Sequence, residues 1–416
     1  MSTSLRTFSG ASLAAMALIL GGPALAADDG DGATIIVTAA RVTADTAPIL
    51  VRARGDVART PGGADLVDAK EFSNSYAVSF HDMLAWSPGV FAQARYGEEV
   101  RLSIRGSGLG RGFHLRGVTL LQDGVPISQA DGSGDFQELD PNALQHIAVY
   151  RGANALRYGS SSLGGAVNAV TLSGHDLTGP VMLRVDGGSF GTLRASMTGG
   201  FETDTVDAAA TATGSTSDGF RQQSAQEKLR FNGNLGIRLA PNLETRFYLS
   251  ANRLDQEVPG TITLDDALHR PRTAPAINIA NDYARNIRSL RLQNRTALRL
   301  GDTRIEFGAF VNLKSLYHPI FQVIDQDSTD WGGYLRAEGR TDVGGMPLDF
   351  TFGSTARIGR IDAKQFVNIG GKRGALTADA VQKASTIDAY GELRLHPVEP
   401  RARQQAAARR QRRARL

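Results

Sequence analysis

A segment rich in glycine and arginine, residues 101–117, carries residue types that bind phosphate or nucleic acid. It reads RLSIRGSGLGRGFHLRG and holds five glycines and four arginines. A dinucleotide-binding loop needs G-x-G-x-x-G. Counted from Gly106, the third glycine of that pattern falls on Arg111, and counted from Gly108 it falls on Phe113. RNA-binding tracts of this composition are long and disordered, whereas strand-like runs flank this one. The segment therefore predicts turns between strands rather than a phosphate site.

A second candidate for chemistry is Gly187-Gly188-Ser189-Phe190-Gly191, which matches the G-x-S-x-G motif of serine hydrolases. That motif works only with a strand before it and a helix after it. The following residues, TLRASMTGGF, have the pattern of a strand, which favours a hairpin turn. A secreted β-protein that hydrolyses substrates through Ser189 stays open as an alternative.

The absence of cysteine from the chain excludes thiolate catalysis and cysteine-ligated zinc. None of the seven histidines forms H-E-x-x-H. The sequence therefore predicts no catalytic residue, no metal ligand and no cofactor.

The net charge of +4 comes from the two ends of the chain. The last sixteen residues, RARQQAAARRQRRARL, hold seven arginines, and the first 26 residues hold one more. Without these eight charges the body has a formal net charge of −4. The body is mildly acidic, so we expect no nucleic-acid partner for it. A basic tail that binds nucleic acid or an anionic surface stays open as a rival interpretation of residues 401–416.

The first 26 residues have the pattern of a secretory signal peptide. Arg6 precedes an apolar run at residues 11–22, and Ala24-Leu25-Ala26 follows as a cleavage signal. The apolar run is too short to span a bilayer as a helix. We therefore expect an exported protein.

Strict alternation of apolar and polar residues begins near residue 180. In LETRFYLSAN, residues 243–252, one face carries Leu, Thr, Phe, Leu and Ala, and the other carries Glu, Arg, Tyr, Ser and Asn. Ten segments of this kind occur, at residues 181–187, 192–202, 205–215, 229–239, 243–253, 286–300, 303–313, 330–341, 347–360 and 385–395. Each is close to the length with which a tilted strand crosses a bilayer.

The connections between these segments alternate between short and long. Short turns are predicted at 203–204, 240–242, 301–302 and 342–346, and long polar loops at 216–228, 254–285, 314–329 and 361–384. Outer-membrane β-barrels sort their connections in this way, with short turns on the periplasmic side and long loops outside. The sequence thus favours an antiparallel transmembrane β-barrel over a soluble antiparallel β-protein.

Residues 101–172 resemble the plug domain of TonB-dependent outer-membrane receptors. The matching elements, in the order and spacing of that family, are LSIRG (102–106), LQDGVP (121–126), DP (140–141), IAVYRG (147–152), RYGS (157–160) and LGGAVN (163–168). The resemblance extends through the strands to about residue 397. DGSGDF and its surroundings resemble most the receptors for ferric citrate and similar iron chelates.

The resemblance implies an α+β plug domain followed by an antiparallel transmembrane β-barrel, with about 10 of the family's 22 strands in this chain. The implied divisions are a signal peptide (1–26), a periplasmic tether (27–60), the plug (61–173), a partial barrel (174–397) and an arginine-rich tail (398–416) unlike the family. A frameshift or a mispredicted gene end would produce such a tail, so we expect a truncated copy that lacks the family's activity.

The resemblance further implies a transporter and not an enzyme, located in the bacterial outer membrane and in contact with its lipid. It would take up a ferric chelate of the siderophore or ferric citrate type. Cobalamin or a redox cofactor is the alternative ligand. TonB, with its inner-membrane ExbB/ExbD complex, would be the partner that supplies energy. By match, the TonB box is Thr34, Ile35, Ile36, Val37, Thr38 and Ala39. Extended and tethered, this segment suits pairing with another chain's sheet edge.

By match, the outward plug loops are residues 92–99 and 126–136. They supply the candidate ligand contacts, which are Arg95, Tyr96, Gln129, Asp131 and Asp135. Arg95 would pair with the anionic oxygens of a chelate. Asp131 and Asp135 are open to a second interpretation, as oxygen ligands of a cation such as calcium. In the family, the arginines of the I-R-G and later R-G elements contact barrel glutamates, which implies plug–barrel contacts at Arg105 and Arg151. The glutamates lie in later strands, so we expect both arginines to lack them here.

Overall fold

The structure is a computed structural model that describes residues 46–60, 62–107, 117–159 and 164–396. The predicted signal peptide, the TonB box at residues 34–39 and the tail at 398–416 lie outside the described residues. The described chain forms an N-terminal domain, residues 46–176, followed by one large antiparallel sheet.

The N-terminal domain combines short helices with two small sheets. Its elements are α1 (Leu50–Arg59), β1 (Ala64–Asp68), α2 (Lys70–Ser73), α3 (Phe80–Met83), β2 (Val90–Ala94), β3 (Val100–Ile104), β4 (Val118–Gln122), β5 (Val125–Pro126), β6 (Leu144–Arg151) and β7 (Gly165–Thr171). The main sheet has the order β1-β6-β7-β4-β5, with a parallel pair at β4–β7, and β2 pairs with β3. This is the α+β domain expected from the sequence.

Strands β4 and β6 are buried along their whole length because both faces of their sheet are covered. Residues Leu120, Ile147 and Val149 point to a cluster with Phe80 and Leu84. The intervening residues point to a second, smaller cluster on the other face. Its buried members are Leu121, Ala148, Tyr150, Ala155 and Ala166. The domain therefore has its own apolar core. The β4–β5 hairpin turns at Asp123-Gly124 with φ of 52° and 84°, the conformation that an Asp-Gly turn favours.

The large sheet holds ten strands, each hydrogen-bonded to its neighbours in chain order. They are β8 (Val181–Gly188), β9 (Thr192–Glu202), β10 (Val206–Ser217), β11 (Gln226–Ala240), β12 (Leu243–Glu257), β13 (Ala284–Leu300), β14 (Thr303–Pro319), β15 (Gln322–Val343), β16 (Met346–Ile369) and β17 (Lys372–Leu395). All ten predicted segments are strands. In the described residues β8 and β17 are the two edges, so the sheet does not close.

The two faces of this sheet have inverted polarity. On β12 the inner face, which packs on the N-terminal domain, carries buried Glu244, Arg246 and Ser250. The outer face exposes Phe247 and Leu249, and the other strands expose Leu, Val, Ile, Phe and Trp side chains in the same way. A continuous apolar surface of this kind is unfavourable in water and favourable in the hydrocarbon core of a bilayer.

Two of the four predicted long loops are wrong. The connections at residues 218–225 and 258–283 are loops, and the second carries α4 (Leu264–His269) and α5 (Ala276–Ala280). Residues 314–329 and 361–384 instead prolong β14 to β17, which end in the tight turns 320–321 and 370–371. Charged residues occupy the outer face there, as Arg360 and Asp362 do. The alternation of apolar and polar residues disappears where both faces of a strand are polar, so the sequence pattern did not indicate these parts of the strands.

The hydrolase alternative fails on local structure. Ser189, Phe190 and Gly191 form the turn between β8 and β9, with φ of 60° at Phe190 and 63° at Gly191. The segment that follows is strand β9 and not the helix that a nucleophile elbow requires.

The described helices contain four to ten residues, and none has both the length and the apolar content needed to span a membrane.

We predict that a charge on the outer face destabilises the sheet according to its depth. Phe247 lies in the middle of the apolar part of β12, whereas Leu239 lies beside the turn between β11 and β12. Phe247→Arg should lower the free energy of unfolding by about 2–4 kcal/mol, and Leu239→Arg by about 0–1 kcal/mol. Urea unfolding in lipid vesicles measures both values, and equal losses would contradict a lipid-facing outer surface.

Candidate functional site

The N-terminal domain packs on the inner face of the sheet through charged side chains. The sheet supplies mostly cations, and the domain supplies mostly carboxylates. The buried cations on the sheet side are Arg194, Lys228, Arg230, Arg246, Arg285, Arg291, Lys314 and Arg357. The two larger apolar clusters lie within the domain, and only a small one, formed by Leu254, Ile287 and Leu316, lies on the inner face of the sheet, so the interface is mostly polar.

Glu98 anchors the first charge cluster. Its carboxylate accepts a hydrogen bond from Lys228 Nζ at 2.8 Å and another from Arg230. All three side chains are nearly inaccessible to water. Burial raises the pKa of Glu98, but the charges of Arg230 and Lys228 outweigh burial, and the net shift is downward. The carboxylate is therefore ionised and paired.

Asp135 and Glu138 anchor the second cluster. Arg285 donates to Asp135 through Nε at 2.7 Å and also through its terminal nitrogen at 2.6 Å. Lys314 Nζ reaches both carboxylates, and lies 2.8 Å from Glu138. Arg291 donates to Glu138 at 3.1 Å. Burial raises the pKa of Asp135, but Arg285 and Lys314 outweigh it and hold that pKa well below its usual range. Three cations and two carboxylates thus form one network.

Backbone groups of the N-terminal domain complete the interface. The Asp123 carbonyl accepts from Gln293 Nε2 at 3.0 Å. The Ala130 amide donates to Asp330 at 2.7 Å, and Arg357 donates to the Ser128 carbonyl. The hairpin and the loop after it are therefore held by β13, β15 and β16.

Arg95 and Tyr96 lie together at the tip of the β2–β3 connection. Arg95 is exposed, pairs with Glu99, and has its guanidinium carbon 5.5 Å from the centre of the Tyr96 ring. Tyr96 is half-buried, and burial together with the Glu99 charge raises its pKa. Arg285 is close enough to influence both Tyr96 and Asp135, so it joins this tip to the 126–136 loop. Arg95 is the one cationic residue among the five predicted ligand contacts, and it is exposed.

Gln129, Asp131 and Asp135 have other partners in the structure. Asp131 accepts from the Ser133 amide at 2.8 Å and from its hydroxyl at 2.7 Å, which fixes the loop. Gln129 is buried and also bonds Ser133. Asp135 is held in the second charge cluster. Since Asp135 is already neutralised, it does not suit a cation site with Asp131, and the described residues hold no group of three or more side chains that fits a metal ion.

Arg105 and Arg151 contact the N-terminal domain itself. Arg151 donates to Ser87 Oγ at 2.9 Å and pairs with Asp65 at 3.4 Å. The Arg105 guanidinium lies beside Gly63. In the described part of the chain neither forms an ion pair with a glutamate of the ten-stranded sheet. The contacts implied by resemblance are therefore absent from these ten strands, and the observed charge pairs run from carboxylates of the domain to cations of the sheet.

Sequence reasoning missed the carboxylates Glu98 and Glu138, although a signal for their partners was present. Lys228 and Arg230, two residues apart on β11, interrupt the polar face of an alternating strand with charge. Buried charges need partners. The sequence indicated that such partners exist but not which residues provide them.

At the other end of the sheet, the start of the described chain is fastened to β12. The Thr46 amide donates to Glu244 at 3.1 Å, and the Thr46 hydroxyl bonds the same carboxylate. Arg246, fully buried, holds Asp207 with two hydrogen bonds of 2.8 Å and 2.5 Å. Glu244 follows the short turn between β11 and β12. Residue 46 therefore lies at the short-turn end, about ten strand residues, or roughly 33 Å, from the Glu98 cluster.

The described chain has a folded domain packed on the polar inner face of an antiparallel sheet, and the outer face of that sheet is apolar. This arrangement is typical of outer-membrane β-barrel proteins that contain a plug. Residues 56–166 match the family model of the TonB-dependent receptor plug domain. Residues 56–166 are therefore similar to the plug domain of TonB-dependent receptors, and the ten strands that follow form an open antiparallel sheet. The plug-domain match supports the predicted outer-membrane location and the prediction of a receptor rather than an enzyme.

Curated relatives match part of the chain. The vitamin B12 transporter BtuB of Vibrio vulnificus (strain CMCP6) is 26% identical over 173 residues, which are 40% of this chain and 26% of the relative. The hemin receptor of Yersinia enterocolitica is 33% identical over 118 residues, which are 28% of this chain and 16% of the relative. The matched region thus spans about a quarter or less of these relatives.

Solved structures show the same fold over a longer range. The ferric citrate transporter FecA in its unliganded form has a TM-score of 0.66 at 16% identity, over 82% of this chain and 55% of that one. The ferric-catecholate import receptor Fiu of E. coli K12 has a TM-score of 0.66 at 14% identity, over 82% and 58%. The chain spans just over half the length of these receptors.

We predict that Glu98→Gln destabilises the receptor because it leaves Lys228 and Arg230 buried without a charged partner. The expected loss is about 3–5 kcal/mol, measured by urea unfolding of receptor purified after substitution in the native gene. The matched control is Glu99→Gln, whose partner Arg95 is exposed, with an expected loss below about 1 kcal/mol.

The stability that the ionised Glu98 carboxylate contributes should depend on pH. A carboxylate with a depressed pKa stabilises the fold above the ordinary value of 4.5, and this stabilisation is lost as the pH falls through the depressed pKa. The difference between wild type and Glu98→Gln should therefore shrink on acidification. Equal effects of the two substitutions at neutral pH would contradict the assignment.

Proposed function

We propose that the protein takes part in the energised uptake of a ferric chelate across the outer membrane. The ligand binds at the outward plug loops, residues 92–99 and 126–136. TonB, energised by its ExbB/ExbD complex, then pairs with the TonB box at residues 34–39 and displaces the plug. The proposal applies to the receptor as it is made in the native host.

The observation that carries this proposal is the placement of the two ends of the plug. Thr46 is fastened to Glu244 at the short-turn end of the sheet. The outward loops contact Lys228, Arg285 and Lys314 near the opposite end. A signal between ligand and TonB must travel between these ends, and the plug is the body that connects them.

The polar interface supports displacement of the plug. Separating apolar surfaces in water is costly, whereas ions and amides regain hydrogen bonds to water when they separate. A buried ion pair contributes little net stability because desolvation offsets its attraction. The Glu98 and Asp135 clusters therefore fix the plug in one position without requiring a large free energy to release it.

The predicted TonB box suits strand addition. TIIVTA, residues 34–39, is rich in β-branched residues and lies between polar segments. A strand added to the edge of another sheet binds through its backbone amides. TonB would thus recognise the extended backbone and transmit force to the segment that ends at Thr46.

The ligand proposal rests on the Arg95–Tyr96 tip. An exposed guanidinium beside an aromatic ring binds anionic oxygens and stacks on planar groups, which are the chemical features of ferric chelates. The names of the curated relatives keep cobalamin and hemin as competing ligands, and a redox cofactor is a further alternative.

We predict that Ile36→Pro, introduced into the native gene, abolishes uptake and leaves ligand binding at the cell surface unchanged. Proline removes a backbone donor from the strand that TonB would add. Uptake and binding of radiolabelled ferric citrate, ferric siderophores, hemin and cobalamin are measured in whole cells. The matched control, Asp29→Pro, alters the same tether outside the box and should transport normally. Normal uptake of the bound ligand by the Ile36→Pro strain would refute the TonB-box assignment.

A further inference from the structure

The two ends of the plug meet at the short-turn end of the sheet. The N-terminal end is the segment from Thr46 to Pro48, and the C-terminal end is the turn of residues 173–176, which leads into β8. Gln145 of the plug joins them, because its side-chain nitrogen donates to the Pro48 carbonyl at 2.7 Å and to the Asp176 carboxylate at 2.5 Å. The attachments of the two ends are therefore neighbours.

One carboxylate of the sheet, Asp207 on β10, connects the attachments of both ends. It accepts from the Gly174 amide at 3.2 Å, and Arg246 donates to it at 2.8 Å and 2.5 Å. Arg246 also donates through its Nε to the Thr46 hydroxyl at 3.4 Å. Asp207 and Arg246 are both buried. The sheet thus contacts both ends of the plug through one ion pair.

His175 adds a titratable group to this ion pair. Its Nε2 lies 3.2 Å from Asp207, and its Nδ1 lies 3.0 Å from Glu202 at the end of β9. The side chain keeps 23% of its surface exposed, so protons reach it from water. The turn that carries it is packed tightly on β9 and β10, since a Cβ atom on Gly174 would lie 2.2 Å from the Phe201 carbonyl oxygen. His175 is therefore fixed between the two carboxylates.

The charged groups around His175 come from β9 to β12 and from its own turn. They are Glu202 and Asp207, which face it directly, Arg246 and Glu244 behind Asp207, Arg238 and Asp204 at the adjoining turn, and Asp176. Arginine stays charged and carboxylates are ordinarily ionised above about pH 5, whereas histidine ordinarily titrates near about pH 6.5. Around neutral pH, His175 is thus the group of this set whose charge ordinarily changes.

Proton binding to His175 favours the attached arrangement. The contact with Asp207 raises the pKa of His175, Glu202 adds to this effect, and together they outweigh partial burial. A group whose pKa is raised on folding stabilises the fold fully below its ordinary pKa of 6.5, and this stabilisation is lost as the pH rises through the raised pKa. Neutral His175 no longer offers Asp207 a positive charge. The attachment should therefore be firm at acidic pH and loose at alkaline pH.

We propose that His175 is a proton-dependent latch that holds both ends of the plug on the sheet. Protonated His175 binds the turn of residues 173–176 to Asp207, and Gln145 and Arg246 transmit this attachment to Thr46. Loss of the proton frees the turn and the N-terminal segment with it. In the cell the short-turn end would face the periplasm, whose pH would then set how readily the plug is displaced. This last step rests on the proposed uptake function, whereas the latch itself does not.

Hydrogen exchange measures both attachments at once, because the Thr46 and Gly174 amides donate to Glu244 and Asp207. The experiment uses receptor purified from the native outer membrane, in detergent, without ligand or TonB. Peptides that contain residues 46–48 and 172–176 are followed by mass spectrometry across neutral pH, and protection factors correct for the pH dependence of exchange itself. Wild type should lose protection at both ends by about threefold or more as His175 loses its proton.

Two substitutions fix the latch in one state each. His175→Gln removes the charge and should show, at the acidic end of the range, the low protection that wild type shows at the alkaline end. His175→Lys stays charged throughout, because lysine titrates at about pH 10.4, and should keep both ends protected. The matched control is His269→Gln. His269 lies 3.0 Å from Asp265 on the exposed helix α4, and this variant should respond to pH as wild type does.

Protection that does not change with pH in wild type would overturn the proposal, and so would a wild-type pH response in His175→Gln. Loss of protection at residues 172–176 alone would show that the two ends are not coupled, which also overturns it. If His175→Gln does not assemble, the comparison of wild type with His175→Lys decides. The uptake proposal is tested separately, since Ile36→Pro abolishes or spares transport whether or not the latch exists.

Discussion

Charge pairing between the plug and the inner face of the sheet is the constraint on which the rest of the structure depends. Lys228, Arg230, Arg285 and Lys314 are removed from water by the plug, and a buried cation without a partner is strongly destabilising. The plug must therefore present Glu98, Asp135 and Glu138 at matching positions. That requirement fixes how the β2–β3 connection and the 126–136 loop lie against the strands.

The placement of apolar surface follows from the same constraint. The plug keeps its apolar clusters inside itself, around Phe80 and Ile147 on one side of its sheet and Tyr150 on the other. The strands direct most of their large apolar side chains away from the plug, although Leu254, Ile287 and Leu316 form a small buried cluster on the inner face. The contact between the two parts is thus mostly polar, and the apolar core of the plug consists of its own residues. This arrangement suits a part that is fixed at rest and is moved as one piece.

Much of this organisation follows from the sequence because alternation has a direct physical cause. Phe247 and Arg246 are neighbours on β12 and point to opposite faces, Phe247 toward lipid and Arg246 toward the plug. The alternation of apolar and polar residues in the sequence therefore indicates a strand. This alternation is lost where both faces of a strand contact water, which is why residues 361–384 were predicted as a loop. Plug strands β4 and β6 overlap LQDGVP and IAVYRG, two of the elements by which the plug was recognised in the sequence.

The partners of buried charges were less predictable, since pairing depends on contacts between residues far apart in the chain. Arg151 was expected to lack a barrel glutamate here, and the sequence did not indicate that it would bond Ser87 and Asp65 within the plug. Asp135, a predicted ligand contact, pairs with Arg285, 150 residues later, which residue type alone did not indicate. Residue type identified these positions as important, but it did not specify their partners.

The hairpin of β16 and β17 extends above the surface of the bilayer. After Ile358 the outer face of β16 carries the charged residues Arg360, Asp362 and Lys364, and the strand continues to Ile369 before it turns at Gly370-Gly371. Eleven paired residues beyond Ile358 correspond to roughly 35 Å. A large particle that approaches the membrane meets this stiff ridge first and is kept at that distance, whereas a small solute passes beside it to the plug. For the proposed uptake, this implies selection by size before any selection by chemistry.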